Sequence, residues 1–109
     1  MIRSMTPLEL KTRIDAQEKI TIIDVRHEWE LEISRLAVAT HIVLHDIPLR
    51  YHEIPNDHVV VFMCRTGIRS MQAAHFLIMN GWSSENLFNL EGGILRWAQD
   101  IDPRLPTTY

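Results

Sequence analysis

The pattern of apolar and polar positions predicts short buried strands that alternate with helices. Apolar and β-branched residues fill positions 19–25 (KITIIDV) and 59–63 (VVVFM), and continuous apolar runs of this length are typical of strands buried on both faces. Shorter runs near 41–44 and 86–93 predict further strands. Alternation of strands and helices predicts an α/β fold, with a mainly parallel central sheet of about five strands and helices on both faces.

The helices are marked by their capping residues. Thr6 is a candidate N-cap, followed by Pro7 at the first helical position and Glu9 in a capping box. A second helix is predicted over residues 70–80, ending at Gly81. Shorter helices are predicted over residues 27–33, 46–51 and 93–100. Residues 101–109 contain two prolines and are expected to be extended.

Composition limits the classes of protein that fit. The 109 residues are 46% hydrophobic and 23% charged, which indicates one globular domain over residues 1–109. The net charge is −3 without a basic stripe, so nucleic acid is not an expected partner. No apolar stretch approaches the ~20 residues of a membrane helix. One cysteine cannot form an internal disulfide, which favours a reducing compartment, and the cytoplasm is the expected location.

The single cysteine lies where the most apolar strand ends and a helix is about to begin. Arg65, Gly67 and Arg69 follow Cys64 in the sequence CRTGIR. A strand that turns into a helix within a few residues can point successive backbone N–H groups into one concave nest, and the helix N-terminus adds partial positive charge. This loop therefore favours the thiolate form of Cys64, which is the nucleophilic form.

Simpler interpretations compete with a reactive thiol. A lone cysteine is often a small buried hydrophobe, and Arg69 could be a solvated residue of the first helical turn. The acidic stretch of Glu28, Glu30 and Glu32 is interpreted as a solvated helix face. The six histidines lack the spacing of a metal site, so no metal is expected. Polar residues packed into one strand-to-helix turn favour the reactive thiol.

Three segments resemble rhodanese-like sulfurtransferases over nearly the whole chain: CRTGIRS like the family's active loop, TIIDVRHEWE like its Asp-x-Arg strand, and LEGGILRW like its late Gly-Gly-x4-Trp signature. The segments ISRLAVATHIVL and WAQDIDPRLPTTY are similar to rhodanese domains fused to adenylyltransferases of sulfur carriers. The resemblance implies a single rhodanese-like domain without a cofactor and a catalytic Cys64. The substrate-binding loop is Arg65, Thr66, Gly67, Ile68 and Arg69, supported by Asp24 and Arg26.

The resemblance implies transfer of a sulfane sulfur through a Cys64 persulfide. The donor would be thiosulfate or a persulfide, the acceptor a thiol or cyanide, and a protein sulfur carrier is a further candidate partner. A Cys-dependent phosphatase or arsenate reductase stays open as an alternative, although such enzymes usually have Cys-x5-Arg and only four residues separate Cys64 from Arg69. A non-catalytic binding module of rhodanese shape is the second alternative.

Overall fold

A five-stranded sheet, parallel throughout, forms the centre of the molecule. The computed structural model describes residues 2–109, and Met1, the first residue of the predicted domain, lies outside the described residues. The strands follow the order β1-β5-β4-β2-β3, and every neighbouring pair is parallel. They are β1 (Arg3–Met5), β2 (Ile20–Asp24), β3 (Thr40–His41), β4 (Val59–Met63) and β5 (Leu87–Leu90). The predicted α/β architecture is confirmed.

Helices connect the strands on both faces of the sheet. They are α1 (Pro7–Asp15), α2 (Glu28–Leu31), α3 (Ile47–Arg50), α4 (Ile68–Met79) and α5 (Gly93–Asp100). The predicted cap of α1 is present, since the Thr6 hydroxyl accepts a hydrogen bond from the Glu9 backbone N–H at 3.1 Å. Within residues 2–109, no helix is long and apolar enough to cross a membrane.

Alternate residues of the central strand β4 pack into two separate hydrophobic cores. Val60 and Phe62 pack into one cluster with Ala73 and Ala74 of α4. The second cluster contains Met5, Leu10, Val61, Met63, Ile94 and Trp97, and so joins α1 and α5 to the opposite face. Both faces of β4 are therefore buried, as its uninterrupted apolar run predicted.

Two features of the chain differ from the sequence-based expectation. Strand β1 was not predicted, because it has only three residues and Arg3 and Ser4 in it are exposed. Residues 101–105 form turns rather than an extended chain. The Leu105 N–H donates to the Asp102 carbonyl at 3.1 Å, and the Asp102 carboxylate accepts from the Arg104 N–H at 3.3 Å. An Asp side chain that binds the backbone two residues on stabilises such a turn.

The sheet brings two chemically active segments to the same edge. Asp24 at the end of β2 pairs in register with Met63 at the end of β4, and the Val25 N–H donates to the Met63 carbonyl at 3.0 Å. Arg26 and Cys64 therefore leave the carboxyl ends of neighbouring strands. This is the edge at which parallel α/β sheets bind ligands.

The Thr6 cap yields a test of the first helix. Replacing Thr6 by Ala removes the side-chain acceptor of the Glu9 N–H and should lower the free energy of unfolding by about 1 kcal/mol. Thr12→Ala is the matched control, because Thr12 lies inside the same helix and its hydroxyl only donates to the Leu8 carbonyl. That control should not lose stability, since Ala has the higher helix propensity. Urea unfolding measures both, and equal losses would contradict a capping role for Thr6.

Candidate active site

The loop that carries Cys64 is a tight connection between the central strand and the longest helix that the structure describes. Strand β4 ends at Met63 and α4 begins at Ile68. Gly67 precedes the helix with φ of 108°, a left-handed conformation that favours glycine. The glycine therefore allows the chain to reverse within the four residues 64–67.

The sulfur of Cys64 is held by two polar neighbours. The Gly67 N–H donates to Sγ at 3.0 Å, and the Ser70 hydroxyl lies 3.3 Å from Sγ. The cysteine is 1% exposed, so the contacts occur away from bulk water. An N–H group aimed at the sulfur is placed to stabilise negative charge that develops on that atom.

A short hydrogen-bond chain fixes the orientation of these groups. The Asn89 side-chain amide donates to the Gly67 carbonyl at 2.9 Å, which leaves the Asn89 carboxamide oxygen as an acceptor. The Ser70 hydroxyl donates to that oxygen at 2.5 Å. The Ser70 hydroxyl bridges the Cys64 sulfur and the Asn89 carboxamide. Both the N–H and the C=O of Gly67 are thus engaged.

The start of α5 packs directly against the backbone of the loop. The Ile94 N–H donates to the Cys64 carbonyl at 2.9 Å, and the Leu95 N–H donates to the Arg65 carbonyl at 3.2 Å. A Cβ on Gly93 would lie 2.3 Å from the Arg65 carbonyl oxygen. In a planar trans peptide the N–H points opposite the C=O, so the N–H groups of Arg65 and Thr66 point away from α5. The second glycine of LEGGILRW is required by this close approach.

Asp24 and Arg26 form a buried ion pair beside the loop. The Arg26 guanidinium donates to the Asp24 carboxylate at 2.7 Å, and the two side chains are 0% and 1% exposed. Burial alone would lower the pKa of Arg26, but the hydrogen bond and the charge of Asp24 outweigh it and raise that pKa. Arg26 also donates to the Ser34 carbonyl at 2.8 Å and to the Tyr109 hydroxyl at 3.1 Å. Arg26 thus connects the ion pair to the backbone at Ser34 and to the Tyr109 side chain.

Arg69 is neutralised by a buried carboxylate. Its guanidinium binds Glu30 through two hydrogen bonds of 2.6 and 2.9 Å. Glu30 is 2% exposed, so interpreting it as part of a solvated face was wrong. Burial raises the pKa of Glu30, but Arg69 and the His27 N–H outweigh that effect and lower it to about 2. The pair ties α2 to the first turn of α4.

Arg65 differs from the other two arginines near the thiol. Within residues 2–109 its side chain has no ion pair or hydrogen bond, and its Nε atom is buried without a partner. Its guanidinium carbon lies 5.0 Å from the centre of the Tyr109 ring. Thr66 and Ile68 are exposed on the outside of the loop. Arg65 is therefore the cation of the site that no carboxylate neutralises.

Several residues at the site were not identified from the sequence. Ser70 and Asn89 were interpreted as parts of a helix and a strand, Glu30 as solvated and Tyr109 as part of an extended segment. An Asn inside the otherwise apolar strand LFNL was the one available signal, because a buried amide needs partners. Among residues 2–109, no group of three or more His, Cys, Asp or Glu side chains could hold a metal ion.

Comparisons with known proteins bear on the family and the fold. A family model described as Rhodanese-like domain matches residues 6–100. A protein of Allochromatium vinosum named sulfurtransferase is 34% identical over 99 residues, which cover 91% of each chain. A Mycobacterium tuberculosis protein named probable adenylyltransferase/sulfurtransferase MoeZ is 32% identical over 102 residues, 92% of this chain but 26% of MoeZ. The crystal structure of a rhodanese-like domain protein from Staphylococcus aureus superimposes with a TM-score of 0.81 at 26% identity, over 99% of this chain and 100% of that one.

The contact between α5 and the loop can be tested at two glycines. Gly93→Ala should destabilise the protein by more than about 2 kcal/mol, because the new Cβ overlaps the loop backbone as well as straining a positive φ. Gly81→Ala is the matched control, since Gly81 also has a positive φ but nothing lies within 4 Å of its added Cβ. The control should cost about 1 kcal/mol. Equal losses in urea unfolding would show that α5 does not press on the loop.

The Glu30–Arg69 pair predicts a pH dependence. The pKa of Glu30 is about 2 in the fold and 4.5 in the unfolded chain, so the pair stabilises fully above pH 4.5 and loses this contribution as the pH falls toward 2. Glu30→Gln should lower stability at neutral pH, and its deficit against the wild type should shrink below pH 4.5. Glu28→Gln, on the exposed side of α2, should keep the wild-type slope. Urea midpoints measured against pH give the answer, and a constant Glu30→Gln deficit would count against the pair.

Proposed function

Because the chain belongs to the rhodanese-like family, we propose that it is a sulfurtransferase that carries a sulfane sulfur on Cys64 as a persulfide. The observation that carries the proposal is the hydrogen bond from the Gly67 N–H to the sulfur at 3.0 Å, in a loop at the carboxyl end of the central strand. The names of the relatives from A. vinosum and M. tuberculosis, which both include sulfurtransferase, support the same activity.

The first half-reaction loads the cysteine. The Cys64 thiolate attacks the sulfane sulfur of thiosulfate, a sulfur–sulfur bond forms, and the bond between the sulfane sulfur and the sulfonate sulfur breaks. Sulfite leaves with the electron pair of that bond, and Cys64 keeps a persulfide with a negative outer sulfur. Arg65, which no carboxylate neutralises, would attract the sulfonate group of the donor. The loop amides would stabilise the charge on the persulfide.

The second half-reaction unloads it. A nucleophilic acceptor, cyanide in an assay or a thiolate in a cell, attacks the outer sulfur, and the persulfide bond breaks to regenerate the Cys64 thiolate. Cyanide leaves as thiocyanate. The chain has one cysteine, so no second thiol of the same chain can take the sulfur, and the acceptor must be another molecule. A protein sulfur carrier is a further candidate partner, supported by a 28% identical protein of Bacillus subtilis named putative sulfur carrier protein YrkF.

The state of Arg69 favours sulfur over phosphate. In Cys-dependent phosphatases the arginine that closes the loop must bind the phosphoryl oxygens. Here Arg69 already forms two hydrogen bonds with the buried Glu30 carboxylate. Releasing it would leave a buried carboxylate unpaired, which is costly. Four residues between Cys64 and Arg69 also make a smaller loop than Cys-x5-Arg.

The decisive experiment follows the sulfur. Incubation of the wild type with thiosulfate should add the mass of one sulfur atom, and cyanide should remove it with release of an equal amount of thiocyanate. Initial rates should show ping-pong kinetics. Cys64→Ser should show neither event, because a serine hydroxyl at neutral pH is a far weaker nucleophile than a thiolate.

Ser70→Ala is an informative companion variant. It removes the donor to the Asn89 carboxamide oxygen, which helps to hold Asn89 on the Gly67 carbonyl, but keeps the Gly67 N–H, so a reduced rate with persulfide still formed is expected. A wild type that gains no sulfur but hydrolyses a phosphate ester would replace the proposal by the phosphatase alternative. A wild type that does neither would favour a binding module.

A further inference from the structure

The segment after α5 returns to the mouth of the candidate active site. Leu105 packs against the core cluster that contains Trp97, and the turn at Asp102 redirects the chain. Four residues after Leu105, Tyr109 lies beside Arg26 and Arg65, which follow neighbouring strands of the sheet. The segment thus brings an aromatic side chain into contact with charged groups of the site.

Tyr109 makes three defined contacts. Its hydroxyl accepts from the Arg26 guanidinium at 3.1 Å. Its ring meets the Trp29 ring edge to face, with centroids 5.9 Å apart and planes at 89°. Its face lies 5.0 Å from the guanidinium carbon of Arg65. Because Arg26 is itself fixed by Asp24, the hydroxyl is anchored to the most buried ion pair of the site.

Tyr109 is a neutral ring rather than a counter-ion. Burial raises the pKa of Tyr109, although the hydrogen bond from Arg26 opposes this effect. The hydroxyl therefore stays protonated at neutral pH. Its attraction for Arg65 comes from the electron-rich face of the ring, which holds a guanidinium without cancelling its charge. A carboxylate at the same place would neutralise the charge, as Glu30 neutralises Arg69.

Arg65 depends on this contact for its orientation. Within the described residues, its side chain has no carboxylate or hydrogen-bond partner, whereas Arg26 and Arg69 each bind a carboxylate. An arginine without such partners samples many rotamers, and ordering it when a ligand binds costs affinity. The Tyr109 ring restricts those rotamers before the ligand arrives.

We propose that Tyr109 is a positioning residue, which holds the Arg65 guanidinium ready for the anionic group of the sulfur donor and so sets the preference for anionic donors. The inference rests on the proposed sulfurtransferase function. It assigns Tyr109 to the donor half-reaction only, because cyanide attacks an outer sulfur from which the sulfonate has already left.

The two half-reactions separate this role from a general structural one. In ping-pong kinetics, kcat/KM for thiosulfate reports the donor step and kcat/KM for cyanide reports the acceptor step. Tyr109→Leu should lower the first about tenfold and leave the second within about twofold, because a partly buried cation–π contact is lost. Tyr109→Phe keeps the ring and should lower the first by about twofold only. Methanethiosulfonate, with one negative charge instead of two, should show a smaller Tyr109→Leu effect than thiosulfate.

A double-mutant cycle tests whether Tyr109 acts through Arg65. Arg65→Met should also lower kcat/KM for thiosulfate, and adding Tyr109→Leu to it should change the value by less than about twofold. Tyr51→Leu is the matched control. Tyr51 forms a similar edge-to-face pair, with Phe76 at 5.4 Å, whereas the ring that Arg65 packs on in the described structure is that of Tyr109. The control should leave kcat/KM for thiosulfate unchanged.

The outcomes are separable. If the wild type transfers sulfur but Tyr109→Leu retains the wild-type value for thiosulfate, the inference is overturned while the proposed function stands. It is also overturned if the single effects multiply in the double variant, if Tyr51→Leu gives the same loss, or if the donor and acceptor steps fall equally. If the wild type transfers no sulfur, the proposed function fails, and the inference falls with it.

Discussion

The geometry of the candidate site depends on the hydrogen bonds between the first turn of α5 and the loop that follows β4. The Ile94 and Leu95 N–H groups donate to the carbonyls of Cys64 and Arg65. Glycine at position 93 allows the backbones of α5 and the loop to approach each other. Each of these hydrogen bonds holds a carbonyl toward α5, so the N–H group of the same peptide points away from α5. The conformation of the loop therefore depends on a segment thirty residues later in the chain.

The three arginines near Cys64 share a charge type but not a role. Arg26 and Arg69 are each bound by a buried carboxylate, which makes them structural cross-links between β2, α2 and α4. Arg65 packs on an aromatic ring, and among residues 2–109 no carboxylate neutralises its charge. A Cys-dependent phosphatase would need its loop arginine free to bind the phosphoryl oxygens, whereas Arg69 is held by Glu30. The distribution of carboxylates thus argues for sulfur chemistry as strongly as the loop length does.

Sequence patterns predicted this site where the chemistry is local and missed it where partners lie far apart. Cys64, Gly67 and the strand-to-helix turn follow from adjacent residues, since an apolar run that ends at a cysteine and a glycine carries its own geometry. The burial of Glu30 depends on Arg69, thirty-nine residues away, and HEWELE alone shows only an acidic stretch, which is usually solvated. Strand β1, at the edge of the sheet beside β5, has three residues, so its sequence is too short to show the pattern of a strand.

The burial of the thiol also limits the shape of a donor. Cys64 is 1% exposed and its sulfur lies against Gly67 and Ser70, so little space is open around it. A reagent must therefore present its transferable sulfur at the tip of the molecule, as thiosulfate and persulfides do. In the proposed persulfide, the outer sulfur would stand about 2 Å beyond the cysteine sulfur, because that is the length of a sulfur–sulfur bond. An acceptor would then not need to reach the buried atom, so the proposed mechanism lets the same enclosed loop exclude bulky donors and still deliver sulfur to a larger acceptor.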